Sequence, residues 1–473
     1  MSDYRAIADR LADDIACGRL APGQRLPPQR RFARTHRIAP STAGRVYGEL
    51  VRRGLVVGEV GRGTFVRAAP PAPQGRALVE PATAAPVNLE LNYPTAPGQS
   101  ELLAAGLAPL LRADALTEAM RTAAADGTAA ARAAAARLLT VPGWRPEPAR
   151  LLFTGNARQA VAAALASLVR PGGRVGVEEL TYPLVKEIAA RLGIVLVPIG
   201  GDGEGLRPDA LRAAHRAAPL AALYVQPVLH NPTSLTTSER RGRELALAAV
   251  ELALPVVEDR VWSFLRPDAT PIAAHAPALT HVVDGLSKRV APGLTAGFLV
   301  VPPDRVDAVA AAVRSGGWSA GRFALEAAVR WAGDGTVERL VAAKRADAAR
   351  RQRILAAHLG AFAVRTDPHA YFAWWELPAP WRADTFTAAA AAHGIAVTPG
   401  TAFTVDPHRT PDAVRLGLAS AAEGELERAL RLLARIAAEP SEPPRPSEPP
   451  RPSGPPQPSP GVGGPGVPPA RTA

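Results

Sequence analysis

The sequence predicts an α/β protein with two folded parts: a small basic helical unit ending in a β-hairpin, and a large unit built on a mainly parallel sheet. Three observations lead there. Across residues 88–438, short apolar runs such as Arg-Val-Gly-Val, Ala-Leu-Tyr-Val, Pro-Val-Val-Glu and Gly-Phe-Leu-Val-Val alternate with helical patterns. Strands separated by helices make a parallel sheet covered on both faces. The formal charge of +12 is unevenly spread, with 13 arginines against 6 acidic residues in residues 1–67. Between these parts, residues 68–87 are rich in alanine and proline and read as a linker that cannot form a core. Beyond Ala438, a repeated Pro-Ser-Glu-Pro-Pro-Arg hexad dissolves into Pro, Gly and Ser, and residues 439–473 read as a disordered tail.

Several classes drop out. A chain of 473 residues is long enough for two or three domains with a large core. No run of about 18 uncharged apolar residues appears, which excludes a membrane-spanning helix. The N-terminus lacks the basic-then-apolar layout of a secretory signal, so the chain is expected in the cytoplasm. Cys17 is the only cysteine, so neither an intramolecular disulfide nor a cysteine-rich zinc site can form, and no metal site is expected. Lysine occurs only at positions 186, 288 and 344, against 52 arginines. That bias, like the abundance of alanine, reads as the mark of a GC-rich genome, and it leaves three candidates for any lysine chemistry.

In the basic unit, Ile7, Leu11 and Ile15 mark one face of a first helix, and Gly18 follows where a C-cap glycine would sit. Pro27 and Pro28 open a second helix with Arg30, Arg31 and Phe32. A third is expected to start at Ser41 or Thr42, with Ser41 as N-cap, turning Val46 and Leu50 inward and presenting Ser41, Thr42 and Arg45 outward. Such a helix fits a DNA major groove. Two short β-rich runs around Gly61-Arg62-Gly63 then have the shape of a wing. A concentrated positive charge on so small a unit favours a polyanionic partner, most simply double-stranded DNA. In order, the phrases GRLAPGQRLPPQRR, STAGRVYGELVRRGLV and GRGTFV resemble the winged helix-turn-helix of the GntR family of bacterial regulators. The resemblance implies that Arg30 or Arg31 contacts phosphate, that Ser41, Thr42 and Arg45 face the groove, and that Arg62 and Gly63 approach the minor groove.

In the large unit, Lys288 stands in Asp284-Gly285-Leu286-Ser287-Lys288-Arg289, with glycines and a proline on its far side. A held amine can form a Schiff base. Pyridoxal phosphate chemistry also needs a carboxylate against the pyridine nitrogen, a ring-stacking side chain and amides for the phosphate. Asp259 ends an apolar run, at the strand edge where ligands bind in open α/β sheets. Asn231 lies 28 residues earlier, expected at the end of another strand, and Tyr182 can stack. Asn156, Ala157 and Arg158 turn from strand to helix, where free amides suit a phosphate, and Ser287 adjoins the lysine.

Residues 88–438 resemble the fold-type I aminotransferases of classes I and II, PLP-dependent transferases, and the whole chain is similar to the MocR subgroup of GntR regulators. The resemblance implies that Lys288 carries pyridoxal 5'-phosphate, Asp259 pairs with the ring nitrogen, Asn231 bonds the ring hydroxyl, Tyr182 stacks, and Arg415 grips the carboxylate of a small amino-compound effector. It also implies a homodimer, whose two winged helices suit paired half-sites. Departures from the family pattern are Thr295 for an arginine seven residues after the lysine and Gly285 for a serine three before it. Trp262 replaces a tyrosine three after the aspartate, and the tyrosine near Gly127 is missing. The phosphate cup is thus depleted, with Arg289 or Arg158 as candidates to compensate. Lys186 and Lys344 read as solvated. Three readings follow: a DNA-binding regulator that senses an amino compound through a cofactor-bearing domain, a working PLP-dependent aminotransferase, and a cofactor-free sensor on the same fold.

Overall fold

The protein is described by a computed structural model covering residues 4–16, 19–20, 23–59, 63–67, 85–407 and 409–439. The expectations for Cys17, Gly18, Arg62, most of the linker and the Pro-rich tail lie outside the described residues.

The N-terminal unit comprises α1 (Tyr4–Ala16), α2 (Gln29–Thr35), α3 (Pro40–Arg52) and an antiparallel hairpin of β1 (Val56–Glu59) and β2 (Gly63–Val66). Ile7, Phe32, Val46, Tyr47, Leu50, Val56 and Val66 close its core, and Leu11 and Ile15 pack against it, as the four-residue spacing requires. The N-cap expectation is corrected here. α3 begins one residue earlier, with Ala39 as N-cap and Pro40 at the first helical position, and no side chain caps it. Proline at that position lacks only an N–H that would have no helical partner, and its fixed φ starts the turn, so Ser41 is free to face outward.

The large unit opens with the short strand β3 (Val87–Asn88) and is organised by seven more: β4 (Leu151–Thr154), β5 (Arg174–Glu178), β6 (Val195–Ile199), β7 (Ala222–Val225), β8 (Val256–Asp259), β9 (Thr280–Gly285) and β10 (Gly297–Val300). Their order across the sheet is β4-β10-β9-β8-β7-β5-β6, and β10 alone runs antiparallel to its neighbours. Every residue of β7, β8 and β9 is buried, so these strands are covered on both faces and bury polar residues such as Glu258, Asp259 and Asp284 along with their apolar ones. Chain order reverses between β5 and β7, the topological switch point at which open α/β sheets bind ligands.

Three helices close to the sheet's C-terminal edge carry residues of interest: α4 (Ala157–Leu168), α5 (Pro183–Arg191) and the single-turn α6 (Leu286–Arg289). A second layer completes the unit. The 24-residue helix α7 (Thr336–Leu359) leads to a four-stranded antiparallel sheet that contains Phe372–Glu376 and Ala413–Gly417. β3 pairs in parallel with Ile395–Ala396, which ties the start of the large unit to this layer.

Candidate functional site

The exposed face of the N-terminal unit collects charge. Arg30 and Arg31 on α2, and Ser41 and Arg45 on α3, are exposed, while Thr42 is half-buried. The Arg45 guanidinium lies 4.1 Å from the centre of the Tyr4 ring, a cation–π contact that ties it to α1. Gly63 opens β2 at φ +122°, and a Cβ there would meet the Arg25 side chain at 2.6 Å, so the turn end of the wing favours glycine. Arg62 is not among the described residues.

At the C-terminal ends of the parallel strands lies a cavity of about 120 Å³. Its lining brings together Asn156, Ala157 and Arg158, Tyr182, Asn231, Asp259, Trp262, Ser287, Lys288 and Arg415 from well-separated parts of the sequence. Asp259 ends β8; its Oδ1 accepts from the Val261 amide at 3.1 Å and its Oδ2 from the Tyr224 hydroxyl at 2.8 Å. Burial raises its carboxyl to about 6. Tyr182 is the N-cap residue of α5, where Pro183 starts the helix, and burial holds its phenol neutral. Asn231 does not end a strand: β7 stops at Val225, and Asn231 sits in the following loop, its amide donating to Gln226 Oε1 at 2.9 Å.

Lys288 is carried by α6. Its Nζ donates to the Asn92 carbonyl at 2.6 Å and lies 4.0 Å from the Tyr93 ring centre and 5.2 Å from that of Trp262. Burial, then the charges of Arg415, Arg158 and Lys344, push its pKa well down, which disfavours the ammonium form. Arg415 is 2% exposed; its Nη2 donates to the Glu90 carbonyl and, at 3.3 Å, to Thr398 Oγ1. Burial lowers it to about 10, which leaves it charged at neutral pH.

The two arginines offered as phosphate partners are placed differently. Asn156 caps α4 by accepting from the Gln159 amide, and Arg158 projects from the first turn into the lining. Arg289 points the other way and is buried in an ion pair with Asp284 at 2.6 Å, bonding Ser263 as well, so it has no part in the cavity. Thr295 bonds Ser287 through their hydroxyls at 2.8 Å. Gly285 has a physical reason: a Cβ there would lie 2.9 Å from the Ala296 carbonyl. At Gly297 a Cβ would lie 2.3 Å from Thr154 Oγ1 and 2.4 Å from the Asn156 backbone, so only glycine lets the turn into α4 pack against β10.

Two further expectations are corrected. Lys344 is not solvated but 0% exposed, and Lys186 is half-buried, its Nζ donating to the carbonyls of Ala402 and Thr404 at 3.0 and 2.9 Å. Burial lowers Lys186 to about 8 and Lys344 to about 7.

Sequence reasoning missed Asn92, Tyr93, Tyr224 and Gln226. A signal existed for the first two, because Leu-Asn-Tyr-Pro places a polar and an aromatic residue before a proline near the start of the large unit. Tyr93 brings an aromatic ring to the lysine from a segment other than the turn near Gly127. A larger open cleft of about 1180 Å³ lies across Gln226 but contains neither the lysine nor the arginines of the cavity.

The residues present suit pyridoxal phosphate. Asn231 Oδ1, Asn92 Nδ2 and Arg415 Nε are buried without hydrogen-bond partners among the described residues, and all three side chains line the cavity. Buried polar atoms are normally paired, so this cluster is unmet capacity for a polar ligand. Among the described residues, no helix is long and apolar enough to cross a membrane.

Comparison with known proteins agrees with this architecture. Residues 85–433 match the family of aminotransferases of class I and II, and residues 3–66 match the bacterial regulatory proteins of the gntR family. The uncharacterized HTH-type transcriptional regulator YdeF of Bacillus subtilis (strain 168) is 28% identical over 437 residues, 92% of this chain and 94% of its own. An archaeal alanine:glyoxylate aminotransferase superposes with a TM-score of 0.69 at 20% identity, covering 77% of this chain and 93% of that one. The α-aminoadipate aminotransferase LysN of Thermus thermophilus, solved with N-(5'-phosphopyridoxyl)-L-leucine, gives 0.67 at 22% identity over 74% and 92%.

Proposed function

We propose, from the premise that this chain belongs to the class I and II aminotransferase family and begins with a gntR-family domain, that it is a cytoplasmic transcriptional regulator whose large domain binds pyridoxal 5'-phosphate and senses a small amino compound. The observation that carries the reading is the convergence on one cavity of a buried lysine amine, a hydrogen-bonded carboxylate, a helix N-terminus carrying Arg158, and the buried Arg415.

In this reading, Lys288 would hold the cofactor covalently, Asp259 would face its ring nitrogen, Asn231 its ring hydroxyl, and Tyr182 and Trp262 would pack against the ring. Asn156, Ala157, Arg158 and Ser287 receive the phosphate. Bound cofactor supplies an electron-withdrawing ring and a carbon that amines attack. This chain's own part is to disfavour the protonated form of the Lys288 amine, since an ammonium has no lone pair with which to attack a carbonyl carbon. Arg415 offers unused donors for an effector carboxylate, a charge-assisted contact that favours amino acids over simple amines. The winged helix binds double-stranded DNA through Arg30 and Arg31 to phosphates, with Ser41, Thr42 and Arg45 at base edges and Arg62 and Gly63 toward the minor groove.

The exposed Leu111 and Met120, with Leu294 beside the cavity residue Thr295, offer the apolar surface that a second copy would cover in a homodimer. The test is binding of the purified protein to genomic DNA fragments with and without pyridoxal phosphate and candidate amino acids. Selective binding shifted by an amine supports the regulator. Steady turnover of an amino donor and keto acid, with no selective DNA binding, supports an aminotransferase instead.

A further inference from the structure

Lys344 is a buried lysine, an ammonium below about pH 7, with an unusual set of partners. Its Nζ donates to the carbonyls of Lys288, Arg289 and Val290, at 3.0, 3.1 and 2.7 Å. An ammonium has three N–H donors, and all three end on consecutive carbonyls at the close of α6. No carboxylate lies within ion-pair distance of it among the described residues, so these dipoles alone replace its water.

The reason for such a clamp lies in α6 itself. A single turn leaves its C-terminal carbonyls without helical partners and is marginal in isolation. One of those carbonyls belongs to Lys288, whose side chain must leave the backbone at a fixed point to reach Asn92 and Tyr93. Lys344 in turn rides on α7, where its own carbonyl accepts from the Tyr371 hydroxyl, which also bonds Asp347. Two turns along α7 from Lys344, Arg351 pairs with Asp347 and donates to the carbonyls of Leu418 and Ala421 in the second layer.

We propose that Lys344 is the positioning residue of the cofactor lysine: its ammonium closes the one-turn helix under Lys288, fixes where that side chain emerges, and joins it to the helix that runs to the second layer. Its charge also acts on the Lys288 amine through space, together with Arg415 and Arg158, while Arg289, Asp347, Arg351 and Tyr371 are the other ionisable groups around the clamp. The inference rests on the reading of Lys288 as the cofactor lysine, but it is testable without cofactor.

The chain has three lysines, so competitive acetylation of the full-length protein with acetic anhydride, read by mass spectrometry across pH, reports each amine separately. In the native wild type, Lys344 should stay unlabelled while Lys288 reacts with a midpoint well below that of a free lysine. In Lys344→Met the Lys288 midpoint should rise by about one unit, roughly a tenfold loss of reactive amine near neutral pH. Lys344→Arg, which keeps charge and donors, should restore it. A purely structural role would move melting temperature but not this midpoint. An unchanged midpoint in native Lys344→Met, or a rise in Lys344→Arg equal to that in the methionine variant, would overturn the proposal. So would wild-type labelling of Lys344 as fast as Lys186, which needs no variant to fold. Failure of pyridoxal phosphate to bind would sink the cofactor reading while leaving these results to be judged separately.

Discussion

Replacing Tyr224 by Phe isolates one hydrogen bond behind the cofactor pocket. The Tyr224 hydroxyl is fully buried and donates to Asp259 Oδ2 at 2.8 Å. Burial and the nearby Asp259 and Glu178 carboxyls hold the phenol well above its usual pKa, so it remains a donor throughout the working range. Phenylalanine keeps the ring packing and removes only the donor. A hydrogen bond to a charged group contributes about 1.5–3 kcal/mol, and at roughly 1.36 kcal/mol per unit its loss should raise the Asp259 carboxyl by on the order of one unit or more. The ionised carboxylate is the form that pairs with a protonated pyridine nitrogen. In the wild type, affinity for pyridoxal phosphate should therefore fall as pH drops through about 6. In Tyr224→Phe the fall should begin at higher pH, with about twofold weaker binding near pH 7, approaching tenfold by about pH 5, and little difference at about pH 9. Equilibrium titration by fluorescence or absorbance across pH measures both features. Wild-type affinity with a wild-type pH profile in the variant would refute the role given to this hydrogen bond.

Three other outcomes are expected. Arg158→Ala should weaken pyridoxal phosphate about tenfold while leaving phosphate-free pyridoxal unchanged, because Arg158 is the arginine at the phosphate end of the lining; equal losses for both would remove it from that role. Glu178 is raised by burial to about 7, so the native state binds more protons than the unfolded chain between its usual value and that pH, and stability drains away as pH rises through this window. Thermal melts should then show Glu178→Gln gaining about 1–3 kcal/mol on the wild type above pH 7 and nothing near pH 4.5, whereas a pH-independent difference would contradict the assignment. On DNA, Arg45→Ala should relax sequence preference, whereas Arg30→Ala should lower affinity across sequences and flatten its salt dependence; competition assays that find the two variants alike would undo the division of labour.

The parts of the site legible in the sequence are those in which chemistry and local structure coincide. Asp259 at the end of an apolar run, the lysine between glycines, and the strand-to-helix turn at Asn156 each carry their own signal. Lys344 reads as solvated because its neighbours in sequence are alanine and charged residues, and nothing local shows that α7 presents it to three carbonyls 54 to 56 residues away. Tyr224 reads as an apolar strand residue, and its hydroxyl acquires a role only when β7 and β8 pair and set it beside Asp259. Arg289 shows the reverse error. Its closeness to Lys288 in sequence suggests the phosphate site, but one step along a helical turn rotates a side chain by about 100°, and it faces Asp284 instead.

The central claim is that Lys288 is the residue on which this chain holds pyridoxal phosphate. Borohydride reduction of the cofactor-loaded protein, followed by digestion and peptide mapping, tests it on a chain with three lysines. The account predicts a pyridoxyl group on Lys288 alone, and none after Lys288→Ala in a protein that still folds and binds DNA. A pyridoxyl group on Lys186 or Lys344, or on no lysine despite saturating cofactor, would contradict it.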